Sequence, residues 1–332
     1  MIDLFGKRLI INTGKGGVGK TTLSAAIGLA AARRGKRVLL MELNAKEKTS
    51  RLFGSSPIGF EPTEVEDNLF AVNITPKEAL REYAILKLRL KTLYRAVFEN
   101  RFVRTFLRVI PGLNELVLLG KVWFEEQAND GPGGRPRWDM IVVDAPATGH
   151  GVFFLQIPAV ITNIVSSGPM FDEARQIQAM IEDSSRTVLN LITLVEEMPI
   201  NETIELKRTT EETLQVPLGY VIANAVYEPM FSDRQRDLVT AVRAETDSDG
   251  SHLDRLLEAA TFRSNRVQLQ REYIERLDRE LDLPQIHIPY YFTERFNFMT
   301  LSKIADEIER QLTGRVDEDP PDPPQPAASG GG

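Results

Sequence analysis

The chain has 332 residues, 42% hydrophobic and 26% charged, with a formal net charge of −7, a balance that allows a substantial buried core. The charge and the scatter of its Lys and Arg exclude a nucleic-acid scaffold, which needs a dense basic face. With no cysteine, disulfides, thiolate metal sites and cysteine nucleophiles are excluded too. Only His150, His252 and His287 remain as nitrogen ligands, spread too widely for a histidine-rich metal centre.

Residues 1–8 lack a basic segment followed by a long apolar one, so no secretory signal is expected. No apolar run reaches the roughly 18 residues of a spanning helix. The expectation is a cytoplasmic protein without stable membrane insertion.

In chain order, Leu9–Thr13 is a β-branched run read as a strand. A glycine-rich turn follows, then an Ala/Leu-rich helix over 21–34 that Gly35 closes. Residues 37–42 read as a second buried strand. Tyr83, Leu86, Leu90, Leu93, Tyr94 and Val97 then repeat at helical spacing, and Leu80, Leu88 and Phe98 widen the stripe. Phe102, Phe106, Leu107 and Ile110 continue it to Pro111-Gly112, and 113–126 restarts it. Residues 129–136 are a loop by composition. Strands are predicted at Met140–Asp144, 188–195, 218–224 and 285–288.

Strands alternating with helices predict an α/β fold with a doubly wound, mostly parallel sheet, its ligand outside the carboxyl ends of the strands. Residues 1–314 form the expected domain, with a helical subdomain from 75–127 and 151–185. Those helices either cover the sheet or form a partner-binding groove. The acidic, Pro- and Gly-rich segment 315–332 is expected to be disordered. Without an internal repeat, one nucleotide site is expected rather than a tandem pair.

Gly14-Lys15-Gly16-Gly17-Val18-Gly19-Lys20-Thr21 fits the P-loop spacing between a strand and a helix. Glycines let the backbone aim N–H groups at an anion, and the helix N-terminus adds partial positive charge. Lys20 is expected on the β/γ-phosphates, Thr21 on Mg²⁺ and Thr22 near the α-phosphate. Asp144, ending a buried strand, is expected to hold Mg²⁺ through water. Lys15 is a second lysine inside the loop, able to reach a partner's phosphates across a dimer face.

The string from Lys15 to Thr21 resembles the deviant Walker A motif of the MinD/ParA and arsenite-pump ATPase class. Asp144-Ala145-Pro146-Ala147-Thr148-Gly149-His150, with Phe154-Leu155-Gln156-Ile157-Pro158, resembles the switch II segment of the anion-transporting (arsenite-pump) ATPase family, which includes targeting factors for tail-anchored membrane proteins. Pro111-Gly112-Leu113-Asn114-Glu115 and a Glu-Thr turn at Asn201-Glu202-Thr203 are similar to further family segments. The resemblance implies ATP and Mg²⁺ as cofactors, Thr148 and Gly149 at the γ-phosphate, Asn224 on adenine, an adenine loop at 289–296, and a nucleotide-sandwiching dimer. His150 is either catalytic or a packed loop residue.

One departure bears on turnover. Where the family carries Asp-Pro-Ala-His after its second strand, this chain has Glu42-Leu43-Asn44-Ala45-Lys46-Glu47, which puts Asn44 at the water-positioning aspartate. An amide orients water but accepts no proton; Glu42, on the same strand face, is the candidate substitute. Either the chain is a slow ATPase or it is an ATP-binding regulatory subunit beside an active paralogue. Arsenite extrusion is disfavoured without thiolates, and no interface zinc is expected without Cys-x-x-Cys. The expected partners are a second copy or a paralogue, plus a protein or hydrophobic client, and no nucleic acid.

Overall fold

The computed structural model describes residues 2–88, 112–146, 148–246 and 250–314. The apolar spacing over 89–111, and the segment 315–332, lie outside them. Eight strands make one sheet: β1 (Leu9–Thr13), β2 (Val38–Leu43), β3 (Thr63–Glu66), β4 (Leu69–Ile74), β5 (Met140–Asp144), β6 (Thr187–Leu194), β7 (Leu218–Val226) and β8 (Gln285–Pro289). Their order is β3-β4-β2-β5-β1-β6-β7-β8, and every neighbouring pair is parallel except β3 with β4. Six strands stand where expected, within a residue or two. The β3–β4 hairpin was not anticipated. It turns at Asn68, whose left-handed φ of 62° a short polar side chain tolerates.

Ten α-helices flank the sheet among the described residues: α1 (Lys20–Arg33), α2 (Thr49–Phe53), α3 (Pro76–Leu88), α4 (Leu113–Gln127), α5 (Thr148–Ile164), α6 (Pro169–Glu182), α7 (Glu197–Thr213), α8 (Asp233–Glu245), α9 (His252–Leu281) and α10 (Phe298–Thr313). Alternation along each strand sends successive side chains to opposite faces. Ile10, Leu40, Val142 and Ile192 pack beneath α1 and α10, whereas Ile11, Met41, Val143 and Leu191 pack against α4, α5 and α6. Helix α1 is buried from Leu23 to Ala32, which explains its all-round apolar sequence. Asn201-Glu202-Thr203 does not form the expected turn; it lies within α7.

Polar residues interrupt this apolar layering at one level. Asn73, Glu42, Asp144, Asn12 and Asn190 are consecutive register partners across β4, β2, β5, β1 and β6. They therefore share the α1 face. Asn12 donates to Ser24 Oγ of α1 at 2.9 Å, and Asn190 donates to Asn12 Oδ1 at 3.0 Å. Asn190 Oδ1 accepts the Tyr220 N–H at 3.0 Å, where the β6–β7 register shifts. The row binds the strand that ends in the P-loop to α1 and to its neighbours.

Asn190→Leu keeps the branched shape at Cγ but strands the Tyr220 donor and the Asn12 acceptor. It should cost about 2–4 kcal/mol, read as a lower urea midpoint at unchanged m. An unmoved midpoint would mean that the row adds nothing net to stability.

Candidate functional site

The carboxyl ends of β2, β5, β1 and β6 converge on one rim, and the Gly14–Gly19 turn rises from β1 there. Gly14 has φ 153° and a Cβ on it would strike the Ile192 carbonyl; Gly19 has φ 96° and a Cβ would strike the Asn224 amide. Both positions require glycine. Gly19 caps α1 without a side-chain hydrogen bond, leaving the first N–H groups of the helix for a ligand. Gly16 and Gly17 are exposed at the lip, while Val18 is buried in the core beneath.

Lys20 folds back over the loop, donating to the Gly14 carbonyl at 2.9 Å and the Lys15 carbonyl at 2.8 Å. Burial lowers the pKa of its ammonium, Asp144 pulls it back up, and Lys48 adds to the lowering. Thr21 donates its hydroxyl to Asp144 Oδ2 at 2.6 Å. Asp144 Oδ1 and Glu42 Oε1 are buried without a hydrogen-bond partner. Desolvation pushes the Asp144 carboxyl up to about 6, against the Thr21 hydrogen bond and with the help of Glu42. Thr22 is half-buried in the first turn of α1. The loop thus brings Lys20, Thr21, Asp144 and Glu42 together.

Glu42 does more than face Asp144. Its Oε2 accepts the Lys48 N–H and the Thr49 hydroxyl, each at 3.1 Å, fixing the start of α2. Asn44 is exposed with φ 49°, its N–H donating to the Ile74 carbonyl at 2.8 Å. Asn and Asp tolerate that left-handed geometry best after glycine. Thr148 and Gly149 open α5, four and five residues beyond Asp144.

Lys15 does not lie free. Its ammonium pairs at 2.5 Å with Glu202 of α7, with both side chains about one-third exposed (34% and 36%). The sequence places Glu202 only in an expected Glu-Thr turn, and nothing in its spacing announces this contact. Asn224 likewise uses its amide internally, donating to the Val18 carbonyl at 2.8 Å and accepting the Ala225 N–H at 2.9 Å. Beyond it, Tyr227, Tyr290 and Phe292 gather with ring centroids 4.7–6.2 Å apart. The Arg263 guanidinium lies 4.2 Å from the Tyr227 ring centroid. The aromatics of the expected adenine loop therefore meet a partner in the segment just after β7 and a cation on α9.

The model for anion-transporting ATPases matches residues 7–168, the stretch that holds the P-loop, Glu42, Asn44 and Asp144. The ATPase BagA of Mycobacterium tuberculosis is 28% identical over 333 residues, covering 93% of this chain and 94% of that protein. The chain is thus similar to anion-transporting ATPases over residues 7–168 and to BagA over nearly its whole length. An arsenical pump-driving ATPase of Escherichia coli is 26% identical over 69% of this chain but only 41% of its own length. One from Acidiphilium multivorum is 28% identical over 64% of this chain and 38% of its own length. Among the described residues no helix is long and apolar enough to cross a membrane.

The relatives that the chain matches are ATPases, and the residues present fit MgATP. Gly14 and Gly19 hold a loop shape that a Cβ would disrupt, leaving the first N–H groups of α1 for an anion, and the unpartnered Asp144 Oδ1 beside the Thr21 hydroxyl offers a hard-oxygen setting for Mg²⁺. The ion, when bound, would neutralise charge on the phosphate oxygens.

The raised pKa of Asp144 also bears on stability. Between 3.8 and about 6 the folded chain retains a proton that the unfolded chain has released, so its contribution to stability falls as pH rises through that window and is level above it. Asp144→Asn should stabilise the nucleotide-free protein by about 2–3 kcal/mol at pH 7 and leave it unchanged below pH 3.8. Urea unfolding at both ends of the window checks this; a loss of stability at neutral pH would contradict it.

Proposed function

We propose that the chain is a slow, Mg²⁺-dependent ATPase whose bound nucleotide closes a dimer around a protein or hydrophobic client. The observation that carries the nucleotide part is the meeting of the folded-back Lys20 with Thr21 and a half-unpartnered Asp144 at the mouth of the cradle. Phosphate oxygens would replace the two carbonyls that Lys20 now contacts. Thr148 and Gly149, at the start of α5, would report the terminal phosphate. Asn224 would reach adenine by releasing Val18, beside the aromatic group at Tyr290 and Phe292.

Slow turnover follows from Asn44 and Glu42 together. Asn44 has the exposure to hold a water but no basicity. Glu42 has the basicity, yet one oxygen is committed to the α2 backbone and the other is buried. The neutral amide equally favours the second reading, a nucleotide-binding subunit that regulates an active paralogue.

Lys15 supports the dimer. It sits at the exposed edge of the loop, held by an ion pair of the kind worth about 0.2–1 kcal/mol, which a partner's phosphates could outcompete. For the client, α3, α4 and α6 line a cavity of 480 Å³ with Leu116, Val117, Trp123, Phe124 and Met170 among its walls.

Single-turnover hydrolysis tests the reading. Lys20→Ala should abolish it, and Asn44→Asp should accelerate it by about tenfold or more by restoring an acceptor for the water's proton. No acceleration would transfer the base to another group; no hydrolysis by either form would favour the regulatory subunit. Glu202→Gln frees Lys15 and should tighten nucleotide-dependent dimerisation about two- to fivefold, measured by sedimentation. Lys15→Ala should abolish the dimer in the same assay, and unaltered association in both variants would remove Lys15 from the interface.

A further inference from the structure

We infer that Lys48, in the loop that follows β2, is a third phosphate-binding cation and makes the site discriminate a nucleoside triphosphate from the diphosphate. The inference rests on the MgATP reading above, and its place in the fold is what singles the residue out. Strand β5 lies between β1 and β2, so the loop after β2 faces the P-loop across the carboxyl end of β5, where Asp144 sits. The P-loop and Lys20 grip phosphate from the β1 side. A cation on the β2 side meets the part of the chain of phosphates that projects beyond them.

The loop is held in this position without any ligand. Asn44 N–H is tied to Ile74, and the Ala45 carbonyl accepts from Asn73 at 3.2 Å. Lys48 N–H is tied at 3.1 Å to Glu42, the register partner of Asp144. Lys48 is thereby anchored one residue-pair away from the metal-facing carboxylate, while its side chain remains exposed.

Its charge is also uncompensated. The two acidic neighbours that could neutralise it are otherwise engaged: Glu42 with Thr49 and the Lys48 backbone, and Glu47 with the Ser50 N–H at 2.6 Å and hydroxyl at 2.8 Å. Among the described residues Lys48 makes no ion pair with an acidic side chain. Its field nevertheless reaches into the cradle, where it acts on both Lys20 and Asp144 as a lesser contribution after burial. With Asn44 neutral and Glu47 turned to the Ser50 N–H and hydroxyl, Lys48 is a cation of the loop without an acidic partner. That arrangement favours the extra negative charge of a terminal phosphate.

Calorimetric titration of the full chain, with Mg²⁺ and either ADP or the non-hydrolysable β,γ-imido analogue of ATP, tests the assignment. Lys48→Ala should weaken the analogue by about tenfold or more and ADP by less than about twofold. Lys48→Arg should restore the wild-type ratio, and Lys46→Ala, which removes the same charge two residues away, should retain it. Equal losses for both nucleotides, or the same discrimination lost in Lys46→Ala, would overturn the role given to Lys48 while leaving ATP binding intact. A wild-type chain that bound neither nucleotide would overturn the ATP reading and this inference with it. Because Lys48 is exposed, its variants should unfold at the wild-type urea midpoint.

Discussion

The site depends on a line of polar side chains crossing the sheet beneath it. A parallel sheet covered on both faces by helices has little tolerance for hydrogen-bonding groups in its middle, yet five adjacent strands place one there at the same level. At one end the groups satisfy each other and α1; at the other, Asp144 and Glu42 each keep an oxygen without a partner. The row is therefore structural towards β6 and reactive towards β2. Its unsatisfied half lies at the P-loop, where burying carboxylate oxygens without protein partners is costly and a cation would offset that cost.

Electrostatics divide the same region into two roles. Lysines surround the mouth: Lys20 inside the loop, Lys15 on its edge and Lys48 opposite. Each is handled differently. Lys20 borrows backbone carbonyls, Lys15 borrows a carboxylate from α7, and Lys48 pairs with no acidic side chain among the described residues. On the proposed reading, a ligand with several negative oxygens would replace the first two sets of contacts and supply the third, so nucleotide would reorganise side chains on a backbone fixed by the sheet.

Much of this was legible in the residues. The β-branched run, the glycines and the Ala-rich helix gave β1, the cradle and α1 because each element obeys its local rule. The buried strands showed as short apolar runs. The β3–β4 hairpin was missed because Thr-Glu-Val-Glu is as polar as a loop and because its turn uses Asp-Asn without glycine. Helix α9, 30 residues long, gave no apolar stripe strong enough to distinguish it from the charged segments around it. Within the site, Lys20, Thr21 and Asp144 follow from spacing. The Lys15–Glu202 pair and the Asn224–Val18 bond join residues 187 and 206 positions apart, and no local pattern encodes a contact at such separation.

Asn44 occupies a left-handed position, and that geometry filters the side chains the loop accepts. Asparagine and aspartate pass the filter alike, and they have the same shape, differing in one amide nitrogen against one oxygen. A chain with this loop can therefore exchange an acid for its amide without moving the backbone, the Ile74 hydrogen bond or the neighbouring lysine. Charge and architecture are uncoupled at that residue, so on the proposed reading a lineage could retune how long the nucleotide persists while the fold that holds it is left untouched.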